Sequence, residues 1–168
     1  MEVLIDILDK ESQEYEGLLE LSMKKTPVIV SEDLEELARI TDEEQIIVSR
    51  INHLDNQRIE AINDIANVLN KDVSNLKIVD LIKMLAARPE EQEKLAIVFD
   101  RLQVSVRGVK RVNEQNRELI QAALELVQFN MNVIQAMNKA PETANYNKGA
   151  FSTGEMIGSS HKAFDAKQ

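Results

Sequence analysis

The apolar positions of this chain form four helical stripes, and the last is the longest. Leu95, Val98, Leu102, Ser105, Val109, Val112, Asn116, Leu119, Ala123, Leu126, Asn130, Val133 and Met137 follow one another in steps that alternate three and four residues. Ten of these thirteen positions are apolar and the other three are Ser or Asn. An unbroken 3-4 step is the seam of a helix that packs lengthwise along other helices. Pro89 stands where proline starts helices well, Glu90, Glu91 and Glu93 fill the first turn, and no proline falls inside the ladder. The pattern predicts one helix of about 48 residues, roughly 70 Å long, against about 11–12 residues for an ordinary helix. Gly108 within it costs about 1 kcal/mol relative to alanine and reads as a close helix contact or a bend.

Three shorter stripes come first. Leu4, Leu8, Glu11, Tyr15, Leu18 and Ser22 keep the same step, widened by Ile7 and Leu19, and predict a helix over 2–25. Thr26-Pro27 is read as its end, because the proline ring disfavours helix at the preceding residue. Val28-Ile29-Val30 then reads as extended, and Ser31 as the N-cap of a second helix with Glu32 and Asp33 in its first turn. That second helix is expected from about Glu32 to Asn70, with a seam of Leu37, Ile40, Glu44, Ile47, Ile51, Leu54, Arg58, Ala61, Ile65 and Val68. Glu44 and Arg58 are charged seam positions. They are read as edge residues with packed stems and heads in water. The sharper reading is a register device in which Arg58 pairs with an acid of the first helix. A short helix follows over about Ser74–Ala87, with Leu76, Val79, Ile82 and Leu85 on one side and Ser74 as cap.

After Asn138 the pattern stops. The last thirty residues hold three of the five glycines, and their apolar residues Tyr146, Phe151, Met156, Ile157 and Phe164 stand apart from one another. Such a segment buries too little to offset chain entropy. The expected fold is therefore all-α: an elongated antiparallel helical bundle, or coiled-coil-like rod, over residues 1–138, with a disordered, flexible tail over 139–168.

Charge narrows the function. The net charge is −9 at pH 7, and residues 1–70 carry seventeen acidic and six basic side chains, leaving a small positive balance for the rest. Nucleic-acid binding asks for the reverse balance and for stacking aromatics, which are 4% of this chain. No run of about 18 apolar residues is available for stable membrane insertion. The acidic N-terminus is unlike a signal peptide, and the expected location is cytoplasmic. Cysteine is absent, so disulfides and thiolate metal sites are excluded.

Candidate chemistry is sparse. His53 and His161 lack carboxylate–histidine partners at metal-ligand spacing, and no cofactor or metal is expected. Nucleophile elbows, phosphate loops and dinucleotide fingerprints are missing. The acidic runs around Glu35 and Glu43 read as wet helix faces rather than acid–base pairs. The chain is not read as an enzyme. Met131 and Met137 read first as core filler and second as a soft, adaptable surface. Arg101, Arg107, Lys110, Arg111 and Arg117 form a basic flank, read as pairing with the two acidic helices, with an acidic partner as the alternative.

Asn113-Glu114-Gln115-Asn116-Arg117-Glu118-Leu119-Ile120 resembles the N-x-x-N-x-x-L-[IL] stretch of the FlgN-type flagellar export chaperones. The likeness extends to the layout of nearly the whole chain. It also includes Tyr146-Asn147-Lys148-Gly149, similar to a family tyrosine closely followed by glycine, although the family often has glycine directly after the tyrosine and this chain has Asn147. The resemblance implies a cytoplasmic chaperone for hook-associated (hook–filament junction) proteins. It would bind their C-terminal helical regions, prevent premature assembly and deliver them to the cytoplasmic domain of the flagellar export gate. It also implies client binding by the last helix and tail and gate docking by Tyr146.

The residues themselves agree in part. Around Leu119, Ile120, Ala123, Leu126, Val127, Val133 and Ile134 the stripe is wider than two positions per heptad require. Together with Asn116 these are the expected client-binding residues. Tyr146 combines a large apolar ring with a hydroxyl, which suits an anchor in a partner's pocket. Two other classes stay open. One is a self-assembling structural coiled coil, for which Ser105, Asn116 and Asn130 would set register and which leaves a homodimer open. The other is an enzyme or cofactor binder in a four-helix bundle, which needs inward Glu and Glu-x-x-His ligands that this chain lacks.

Overall fold

The computed structural model describes residues 1–70 and 76–138 and two two-residue strands at 145–146 and 152–153. It is all-α apart from that strand pair. Helix α1 spans Glu2–Val30, α2 Leu34–Val68, α3 Ile78–Met84 and α4 Pro89–Asn138, with a 3-10 turn Leu85–Ala87 before α4. Strand β1, Asn145–Tyr146, pairs antiparallel with β2, Ser152–Thr153, in the register Tyr146 with Ser152. The other residues after Asn138, for which a disordered tail is expected, lie outside the described residues, as does Ser74. Packing divides the chain into Met1–Gln121 and Ala122–Gln168, a boundary inside α4 rather than at the compositional change.

Within Met1–Gln121, helices α1 and α2 are antiparallel: Lys25 meets Glu44, Glu14 meets Arg50 and Glu11 meets Arg58. Helix α4 runs parallel to α1, since Arg101 meets Ser12 and Asn116 meets Ser22. Two apolar clusters hold the helices. Leu4 and Leu8 of α1, Ala66 of α2, Ile78 and Leu81 of α3 and Leu95 and Leu102 of α4 make the larger one. Leu18, Ile51 and Val109 make a second, three-helix cluster with Leu19, Ile47 and Val48 around it. Each buried large side chain of this kind contributes about 1.5–3 kcal/mol. Gly108 is the expected close contact: a Cβ there would stand 2.9 Å from Leu19 Cδ2.

The end of α1 departs from expectation. The helix passes through Pro27 and stops at Val30, so Val28-Ile29-Val30 is helical and not extended. Proline removes one backbone donor, that to the Met23 carbonyl, and buried Ile29 rewards the extra turn. The stop is a Schellman motif. The Asp33 N–H donates to the Val28 carbonyl (3.3 Å) and the Glu32 N–H to the Ile29 carbonyl (3.2 Å). Glu32 takes the left-handed position, φ 57°, that glycine usually fills. Asp33, not Ser31, then caps α2 by accepting from the Glu36 N–H at 3.0 Å. At the other end of α2 Asn70 adopts φ 47°, so the helix closes at Val68, and Ala66 is buried where exposed Val68 was expected.

The two charged seam positions are the register device and not water-facing edges. Arg58 Nε lies 3.1 Å from Glu11 Oε2, and the Glu11 side chain is only 4% exposed. The N–H misses the oxygen, so the contact is one of charge. Glu44 accepts from Lys25 at 2.8 Å and from the Ser22 hydroxyl at 3.1 Å. Removing water from the Glu11 carboxyl pushes it above the ordinary glutamate range, against the pull of Arg58 and with a further push from Asp55. The same group, by its charge, adds to the burial that raises the Tyr15 phenol.

A raised folded value means that the native state holds the Glu11 proton more tightly than the unfolded chain does. This group's contribution to stability is therefore fully present below the ordinary glutamate range and is lost as pH rises through the folded value. In urea denaturation from about pH 4 to pH 8, Glu11→Gln is expected to flatten that part of the profile. Arg58→Met strands the carboxylate and is expected to cost about 2–3 kcal/mol at neutral pH, below the fully buried case because Arg58 is partly open to water.

Candidate functional site

Helix α4 is long because its sequence contains nothing that ends it. Pro89, Glu90 and Glu91 start it, the Gln92 side chain ties its first turn to the Ile82 carbonyl at 2.9 Å, and the 3-4 seam then continues to Met137. Burial along that seam is not continuous. Leu95, Leu102, Ser105, Val109, Val112 and Asn116 are buried. Leu119 and Ala123 are half-buried, and every residue from Leu124 to Asn138 is exposed.

Asn116 ends the covered stretch. Its side-chain amide donates to the Ser22 carbonyl at 2.8 Å, and its carbonyl oxygen accepts from the Thr26 hydroxyl at 2.7 Å. At 3% exposure it is spent on α1 and has no surface to offer. The expectation that Asn116 binds a client is corrected: it is a packing residue. The remaining expected residues, Ile120, Leu126, Val127, Val133 and Ile134, are exposed together on α4, with Leu119 and Ala123 between them.

Sequence reading missed Leu124 and Phe129. They lie off the 3-4 seam, yet they are 64% and 63% exposed. Plotting the residues at 100° per residue, rather than counting seam steps, brings them out. Met131 and Met137 are exposed too, the latter at 79%, so core filling is corrected to the soft-surface reading. Ile97 and Val104 are also exposed in the first half of α4. They differ in having Asp100 and Arg101 one turn away.

The basic flank is split. Arg101 pairs with Asp9 and donates to the Ser12 hydroxyl at 3.1 Å, as expected of a residue that aligns α4 on α1. Arg107 turns to its own helix, to the Gln103 carbonyl, and Arg117 lies near Glu114. Pairing with the acidic helices is thus met by Arg101 alone of the five. Among the described residues no three His, Asp or Glu side chains converge on a metal position. His53 is exposed on α2, against Gln57. The cleft of ≈ 300 Å³ beside Tyr15, Phe99 and Leu102 contains Glu11 and Arg58, which are taken up with each other. No helix among the described residues is long and apolar enough to cross a membrane.

The sequence profile described as "FlgN protein" matches residues 1–151. The chain belongs to the FlgN family. That family is one of flagellar export chaperones, which supports a flagellar export chaperone role in general. The chain is also similar to the "Uncharacterized protein YvyG" of Bacillus subtilis (strain 168), at 27% identity over 154 residues, covering 91% of this chain and 89% of that relative. No solved structure matches it.

If Asn116 packs and Leu126 is free surface, the two should differ in stability. Asn116→Ala leaves the Ser22 carbonyl and Thr26 hydroxyl without their partner and is expected to cost about 1–3 kcal/mol. Leu126→Glu should stay within about 0.5 kcal/mol. Guanidinium titration followed by circular dichroism measures both, and equal losses would contradict the assignment.

Proposed function

We propose that this FlgN-family protein binds the C-terminal helical regions of hook–filament junction proteins in the cytoplasm, along the exposed half of α4. It thereby keeps them from assembling early and hands them to the cytoplasmic domain of the flagellar export gate. The observation that carries the reading is the exposed stripe: Leu126, Val127, Val133, Ile134 and Met137 keep the apolar helical pattern and are 40–79% exposed. An amphipathic client helix laid against such a stripe buries both apolar faces at once, anchored by a few residues. Client binding is assigned to Leu119, Ile120, Ala123, Leu126, Val127, Val133 and Ile134. Tyr146, whose backbone pairs with Ser152, is assigned to the export gate. No nucleic acid and no stable membrane insertion enter this reading.

The test has two arms. Leu126→Glu with Val133→Glu is expected to abolish binding of a purified junction protein, measured by calorimetry, while helicity is kept. Tyr146→Ala is expected to leave that affinity unchanged and to weaken binding to the gate's cytoplasmic domain. Unchanged client affinity in the first variant moves the site elsewhere. Unchanged gate binding in the second removes the docking role. A wild-type chain that binds no junction protein but sediments as a stable oligomer would favour the structural coiled coil.

A further inference from the structure

The exposed half of α4 is too wide for one helix. At 100° per residue, Phe129, Val133, Leu126, Met137, Ala123, Ile134, Val127, Met131 and Leu124 lie in that order on an arc of roughly 220°, interspersed with the amides Asn130 and Asn138. One packed helix covers a stripe about 100° wide. The two edges of the arc, Leu124 and Phe129, are more open to solvent than Leu126 or Ile134 between them. A single client helix seated on the middle of the arc would leave both edges in water.

This half also lacks charge. Between Ala122 and Asn138 the one charged side chain is Glu125, whereas 29% of the whole chain is charged. The narrow polar strip opposite the arc is made of amides, Gln128, Asn132 and Gln135, beside Glu125. Charge steering and interfacial ion pairs therefore contribute little here, and apolar burial with amide hydrogen bonding must carry recognition.

We infer that the client clasps this half of α4 from both sides, with two amphipathic helices whose contact faces are uncharged. The inference rests on client binding at α4. It goes further in fixing the number of helices and the chemistry of their faces. Two helices of ordinary stripe width cover about 200° together, close to the whole arc. An apolar arc about twice as wide as one packing stripe belongs to a helix that packs on more than one side, so the pattern fits a helix that becomes the centre of a bundle when its client arrives.

The probe is a purified monomeric hook–filament junction protein, titrated into the full chain by calorimetry. Leu124→Glu and Phe129→Glu sit at opposite edges, and each alone is expected to weaken binding about tenfold or more at unchanged helicity. Leu124→Gln and Phe129→Gln serve as milder replacements if either glutamate variant fails to fold. Wild-type affinity should change less than about threefold between roughly 0.05 and 0.5 M salt. If Leu126→Glu abolishes binding while either edge variant is neutral, one helix lies along the seam and the two-helix clasp is overturned, with client binding at α4 still standing. A tenfold or greater loss with salt overturns the uncharged face. Absence of wild-type binding overturns client binding and the clasp together. Sedimentation showing a stable dimer that both edge variants dissolve assigns the arc to a second copy and overturns the clasp as well.

Discussion

Everything in the Met1–Gln121 unit depends on the seam of α4 lying along α1. Leu95 and Leu102 join Leu4 and Leu8 in one cluster, and Val109 joins Leu18 and Ile51 in the next. Those contacts supply burial, but burial alone does not choose a register, since a slip by one turn would still place apolar groups together. The choice is made by polar side chains set between the apolar clusters. Arg101 reaches Ser12, Arg58 faces Glu11, Glu44 holds Ser22 and Lys25, and Asn116 closes on Ser22 and Thr26. The buried members of these pairs, Glu11, Ser12, Ser22 and Asn116, would be left without a partner in a shifted arrangement, at about 1–3 kcal/mol apiece. Arg58 and Glu44 fix α2 against α1, while Arg101 and Asn116 fix where α4 sits, and so fix the residue, Asn116, at which its cover ends.

That end point links fold to function. Up to Asn116 the seam is part of a core. From Leu124 onward the same kind of seam faces solvent, broadens and sheds its charges. A domain gains nothing in stability from leaving so much apolar surface exposed, and patches of this kind mark interaction sites.

Much of this was legible in the residues. The start of α4 followed from Pro89 and its acids, its length from the unbroken 3-4 step, and its close approach to α1 from Gly108. What escaped reading did so for physical reasons. Pro27 reads as a terminator because its ring disfavours helix at Thr26, whereas the burial of Ile29 beyond it is a tertiary contact that the local sequence does not display. The true stop uses Glu32 in a left-handed position normally advertised by glycine, so its signal was absent. Glu44 and Arg58 were read as wet edges because their partners lie on another helix. Leu124, Phe129, Met131 and Met137 were missed or misassigned because counting seam positions ignores how far an apolar arc spreads around the helix. Asn116 lies in the family-like stretch, and nothing in the sequence displays that its side chain is spent on Ser22 and Thr26 of α1.

The seam of α4 is buried up to Asn116 and exposed from Leu124 to Asn138, and we propose that the exposed part is where the client binds. Amide hydrogen exchange along α4, read by mass spectrometry with and without a purified junction protein, tests it most directly. In the free chain, amides over residues 95–116 should be strongly protected and those over 122–138 should exchange by local opening, because their side chains have no cover. On adding the junction protein, protection should rise over 122–138 and stay level over 95–116. Equal protection along the whole helix in the free chain, or a gain confined to 95–116, would contradict the account.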